Sequence, residues 1–183
     1  MPHLVDIYLK SSRPHNNLVH TMAICLLYHL VTTYPSQLSY RQFYSTFPPN
    51  LLPQDNDIHM WIRSLSAALR TSNYTKVERL TTPSKTSQLF ENSDARSDLA
   101  RKAFFLLINK LRENARSTAW RIIRSAYREV ACQAESEETR TWLSRSLHLQ
   151  AADLDRWLDE QSALGHVRPK EDVPGRWLLT RVR

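Results

Sequence analysis

Arg121, Arg124 and Arg128 are spaced three and four residues apart, so a helix places them on one side, opposite Ala119, Trp120, Ile122, Ile123, Ala126, Tyr127 and Val130. Residues 166–183 add Arg168, Lys170, Arg176 and Arg181. A guanidinium donates two parallel hydrogen bonds to a phosphate, so this set suits a polyanion. No residue pattern here reads base edges, and binding is expected to tolerate any sequence. Trp177 follows Arg176 directly. Two roles are open to it: anchoring a C-terminal ribbon on the core, or stacking on a base of a single strand. These eight residues are the candidate nucleic-acid contacts.

No other set of side chains has the spacing of a reaction centre. His3, His15, His20, His29, His59, His148 and His166 lack both the HExxH pattern and paired zinc spacing. His20 and His29 fall in an apolar helical stretch, where partial burial accounts for them. The serines have no Gly-x-Ser-x-Gly setting. Glu137-Glu138 and Asp159-Glu160 are adjacent pairs whose carboxylates diverge on a helix. Phosphate-loop and dinucleotide fingerprints are missing. The expectation is a chain without enzymatic activity, metal or cofactor. Cys25 and Cys132 sit far apart in apolar patterns, as buried free thiols in a reducing compartment would.

The net charge of +7 is unevenly distributed. Residues 101–128 carry eight Lys/Arg against Glu113 alone, residues 129–160 carry eight acids against three Arg, and residues 166–183 carry five Lys/Arg against two acids. Such blocks suit one face for a polyanion and another for a basic partner; solvated helix faces would also produce them. A length of 183 residues fits one domain or two small ones. Two glycines against nine prolines argue against glycine-rich phosphate loops and against a turn-rich β fold. No apolar run is long enough to span a membrane, and Met22–Val31 is expected to be a buried helix rather than a signal peptide.

The elements that must position the arginines follow from caps and periodicity. Asn17 is expected to cap a helix ended by Tyr34-Pro35, and Ser39 to start one closed by Pro48-Pro49. Asp57 is expected to cap a third, with Ile58, Trp61, Ile62, Leu65 and Leu69 on its apolar stripe. Thr71-Ser72-Asn73 breaks it before a short helix through Val77 and Leu80, which Thr82-Pro83-Ser84 ends. Residues 83–94 are polar and expected to loop. A helix over 95–112 should turn Leu99, Ala103, Phe104, Leu107, Ile108 and Leu111 inward, and Ser117 should cap the next, reaching Gln133. Ser136-Glu137-Glu138 starts another. The turn over 146–150 leads to a helix over 151–164, with Leu154, Trp157, Leu158 and Leu164 inward and Gly165 at its left-handed end. His166-Val167-Arg168 and Arg176 to Val182 are expected to pair as a two-stranded ribbon around a turn from Pro169 to Gly175.

Three segments then bear a resemblance. Arg63 to Leu80, with Ser72-Asn73-Tyr74 at its turn, resembles the helix–turn–helix signature of GANP-like PCI domains. Ala119 to Arg128 resembles the arginine-rich helix ending in Ala-Tyr that precedes their winged helix. Trp142 to Leu149 followed by Ala151 to Leu164 resembles their helix–turn–helix, with His148 where the family has glycine. The resemblance covers roughly residues 18–182, and the Cys-Pro-Asp-Met-Cys-Pro-type segment of the export scaffolds is missing, so the chain is identified as a divergent or truncated member.

The resemblance implies a mainly α fold: a helical-repeat stack over 1–134 and a C-terminal winged helix with a small β-ribbon over 135–183. It further implies a scaffold in nuclear mRNA export, binding RNA or DNA and pairing with a second PCI-domain protein and a small acidic subunit. The alternative is a protein-assembly subunit like those of the proteasome lid, signalosome or initiation factor, without nucleic acid, and cytoplasmic rather than nuclear.

Overall fold

A computed structural model describes residues 16–46, 56–89, 98–132 and 136–181. Among them, eight α-helices are accompanied by one three-stranded antiparallel sheet. The helices are α1 (Asn16–Thr33), α2 (Leu38–Ser45), α3 (Asp57–Arg70), α4 (Tyr74–Leu80), α5 (Pro83–Gln88), α6 (Asp98–Ala126), α7 (Glu137–Ser146) and α8 (Leu154–Ala163). The strands are β1 (Glu129–Ala131), β2 (Val167–Pro169) and β3 (Arg176–Leu179), in the order β1-β3-β2. The chain is therefore mainly helical and ends in a winged-helix-like unit. No helix among the described residues is long and apolar enough to cross a membrane.

Asparagine sets two helix starts. The Asn56 side chain accepts from Ile58 N at 2.9 Å, and Asn73 accepts from Lys76 N at 3.1 Å. Asp57 is thus the first residue of α3 and not its cap, placing a carboxylate in the first turn, where the helix dipole favours it. Asn17 lies within α1 rather than ahead of it, and α2 starts at Leu38, one residue before Ser39. Pro48-Pro49 lie outside the described residues. The expected loop over 83–94 is overturned in its first part: Pro83 opens α5, because a proline at the first helical position loses no hydrogen bond.

The largest departure from expectation is α6. It runs unbroken through Ser117, where two helices were expected, because Ala115 and Ala119 on either side are buried and no glycine or proline interrupts them. At 1.5 Å per residue its 29 residues span roughly 43 Å. It also stops at Ala126, not Gln133, because Val130 is drawn into the sheet opposite Trp177. Phe104, Ile108 and Leu111 are buried as expected, whereas Leu99, Ile122, Tyr127 and Leu164 are exposed.

The sheet has a third strand beyond the expected ribbon. β3 lies in the middle, with Val130 and Pro169 both opposite Trp177, and Val167 opposite Leu179. Trp177 and Leu179 therefore share the inner face, and Trp177 packs against the core. Val182 lies outside the described residues. One apolar core runs from Leu26 in α1 to Leu179 in β3, so elements before and after residue 134 share it. Trp61 meets Phe104 at 5.3 Å and Trp120 meets Trp157 edge-on at 4.8 Å. Truncating a large aromatic in a core costs about 3–5 kcal/mol; half-buried Trp177→Ala should cost about 2–3 kcal/mol in a denaturant titration. A loss below about 1 kcal/mol would show that the ring does not anchor the sheet.

The middle of α6 holds the ends of three other helices. Asn114 Nδ2 donates to Val31 O at 3.3 Å in α1. Arg112 donates to Thr81 O at 3.3 Å, at the end of α4, and to His148 O at 3.2 Å. Arg116 donates to Leu147 O at 2.7 Å and to His148 O at 3.2 Å, beyond α7. Last-turn carbonyls lack intrahelical donors and carry the negative end of the dipole, so guanidinium groups satisfy them twice over.

The end of α7 turns on His148. Its φ is +54°, with Leu149 N bonded to Ser144 O at 2.9 Å and His148 N to Arg145 O at 3.2 Å. These are the two bonds of a Schellman end, whose left-handed residue is usually glycine. The position that such an end usually gives to glycine thus keeps its backbone shape with a histidine in it. The ring is buried beside Tyr74, and neither nitrogen has a hydrogen-bond partner among the described residues. Burial, reinforced by the charges of Arg112 and Arg116, pushes its pKa down to about 3.

Candidate nucleic-acid interface

The C-terminal half of α6 carries Arg121 and Arg124 on one side, one turn apart. Arg128 follows in the bend before β1, so it is not on the helix with them, as the spacing had suggested. The sheet brings it back. Leu179 N bonds to Arg128 O at 2.8 Å and Thr180 N to His166 O at 2.9 Å, which fixes the exit of β3 between the two other strands. Arg124 Nε then donates to Thr180 O at 2.9 Å, tying α6 to that exit.

Two shallow grooves meet at this tie. One is lined by Arg128, Arg168 and Arg181 around Leu178, Leu179 and Thr180. The other is lined by Arg121 and Arg124, with Ser117, Thr118, Trp120, His166 and Pro35. Five of the seven expected cations thus form one basic strip along the seam between α6 and the sheet. Arg121, Arg128, Arg168 and Arg181 are exposed and make no ion pair among the described residues. Arg124 is half-buried, and burial lowers its pKa from the ordinary arginine value.

Lys170 and Arg176 stand apart from the strip in chemistry. Glu129 receives both, Lys170 on Oε2 at 3.1 Å and Arg176 on Oε1 at 3.3 Å. The single carboxylate offsets half of their charge before any ligand arrives. Trp177 faces inward and belongs to the core side of the sheet.

Glu129 sits in β1 beside Arg128, and further acids lie on other elements. The outer side of α8 shows Asp155, Asp159 and Glu160, and the β2–β3 turn shows Glu171 and Asp172. Asp155 is paired with Arg140 through two bonds of 2.9 and 2.8 Å, and that pairing lowers its pKa. Helix–turn–helix proteins push their second helix into the DNA major groove. Here that helix is α8, and its carboxylates repel phosphate.

A separate apolar area lies on the other flank of α6. Ile122, Tyr127 and Trp142 are exposed around a groove that also takes in Ala119 and Tyr74, with Tyr127 edge-on to Trp142 at 5.8 Å. Sequence periodicity places Ile122 and Tyr127 on the apolar side of their helix. His166, 42 positions from Arg124 and beside it in the fold, has no local signal that would have put it near the arginines. Comparison of the chain with protein-family models, with curated proteins and with solved structures found no match.

Proposed function

We propose that the chain is a non-enzymatic scaffold that holds nucleic acid by its phosphates and pairs with a second protein. The observation that carries this reading is the basic strip: five arginines from α6, β2 and the flanks of β1 and β3, none of them with an ion partner among the described residues. The resemblance to GANP-like PCI domains supports the same reading. It adds a nuclear setting in mRNA export, a second PCI-domain partner and a small acidic subunit. The exposed Ile122, Tyr127 and Trp142 supply an apolar area of the kind a partner covers. Acidic α8 and the β2–β3 turn leave the seam as the face that tolerates phosphate.

The second reading, a protein-assembly subunit without nucleic acid, has its own support. Lys170 and Arg176 share the carboxylate of Glu129, and Arg112 and Arg116 are committed to helix ends. Fluorescence anisotropy with a short single-stranded RNA across a salt series separates the two. If each strip arginine meets one phosphate, the log–log salt slope is about −3.5, from ~0.7 per contact. Reversing Arg168 and Arg181 to Glu should weaken all sequences alike and bring the slope to about −2. Absence of binding at low salt, by the chain and its co-purified partner together, leaves the assembly reading.

A further inference from the structure

The groove at the α6 end of the basic strip has the lining of an anion site. Arg121 and Arg124 face it from α6, with the Ser117 hydroxyl one turn earlier beside Thr118, whose own hydroxyl donates to Asn114 O at 3.1 Å, and His166 enters from the segment before β2. No carboxylate lines it among the described residues. Arg124 spends Nε on Thr180 O, which holds the guanidinium in place and leaves its two amino groups unspent among the described residues. Arg121 makes no ion pair there. His166 Nδ1 meets Gln161 Oε1 at 2.8 Å; an amide oxygen only accepts, so Nδ1 carries the hydrogen. The Trp120 ring lines the same recess, and its buried Nε1–H has no hydrogen-bond partner among the described residues.

A guanidinium held by Thr180 O and a second one helical turn away, with the Ser117 hydroxyl and a ring N–H beside them, match the oxygens of one phosphate. We propose that this recess is a phosphate-binding site, held by Arg121 and Arg124, that seats one phosphate of the strand while Arg128, Arg168 and Arg181 track the rest. The role of the strand rests on the function proposed above. The recess itself is tested apart from it, with inorganic phosphate. The phosphate seated is either a terminal monoester or an internal diester, and the same arginines serve both.

The test uses the full chain in two arms. In the first, inorganic phosphate is titrated at constant ionic strength while the indole N–H signal of Trp120, assigned with Trp120→Phe, is followed by NMR. The signal should move saturably, and Arg121→Gln should remove the movement. In the second, anisotropy compares a short RNA bearing a 5′-phosphate with the same RNA bearing a 5′-hydroxyl. A preference of about five-fold for the phosphorylated strand, lost in Arg121→Gln, assigns a terminal monoester. Equal affinities that Arg121→Gln weakens alike assign an internal diester. No movement of the Trp120 signal with phosphate overturns the site, whatever the RNA does. RNA binding that Arg168→Glu abolishes and Arg121→Gln leaves untouched also overturns it, while the proposed function stands. A saturable Trp120 shift without any RNA binding has the reverse meaning.

Discussion

Between pH 6.5 and about 3, the folded chain is expected to lose about 1.4 kcal/mol of stability for each unit of acidification. The cause is His148. In the unfolded chain its imidazole protonates near the ordinary value of 6.5; in the fold it resists protonation down to about 3. The unfolded state therefore binds more protons throughout that window, and stability rises with pH across it. The stabilising difference is fully present above pH 6.5 and is lost as pH falls towards 3. Asp155, held low by Arg140, adds a further loss only below the ordinary aspartate range. Chemical denaturation at intervals from pH 7 to pH 4 measures the slope. His148→Asn is the control, because asparagine accepts positive φ and does not titrate. A stability curve for the native chain as flat as that of His148→Asn would show that the ring is not held neutral.

Arg116→Ala is expected to cost about 2–4 kcal/mol, the larger share from the charged bond to Leu147 O at 2.7 Å. Arg112 still reaches His148 O, so the second carbonyl keeps a donor, but Leu147 O loses the Arg116 guanidinium. Arg116→Lys should recover little, because one ammonium lacks the fork that spans two carbonyls. The same substitution has a second readout. Arg116 is one of the two cations that hold His148 neutral, so its removal should raise the pH at which His148 titrates in the fold and narrow the window over which stability falls with acid. A stability loss with that window unchanged would separate the capping role from the electrostatic one.

Much of the helical order was legible because caps and breakers are local. Asn73, Gly165 and the Tyr34-Pro35 junction act within a few residues of themselves, and the structure ends or starts helices at or beside each. What escaped was set at a distance. Ser117 has the chemistry of a cap, but the core on both sides of it buries Ala115 and Ala119, and packing overrides propensity. β1 is three residues long with one buried apolar side chain, and only its pairing with β3 makes it a strand. Ile122, Tyr127 and Trp142 keep helical spacing with buried neighbours, so their exposure is invisible to periodicity. The arginines were legible as a basic set but not as a division of labour. Arg112 and Arg116 became caps, and Lys170 and Arg176 found Glu129, through contacts 31 to 47 positions away in the chain.

The strand order β1-β3-β2 also has a bearing on synthesis. Residues 129–131 emerge from the ribosome first, and residues 167–169 follow, yet neither pairs with the other. Both wait for residues 176–179. A nascent chain halted anywhere from residue 132 to residue 175 therefore has most of its helices and no ladder at all, with the edges of β1 open to other chains. The last strand to be made closes both pairings in one step, so completion of the sheet reports completion of translation through Leu179.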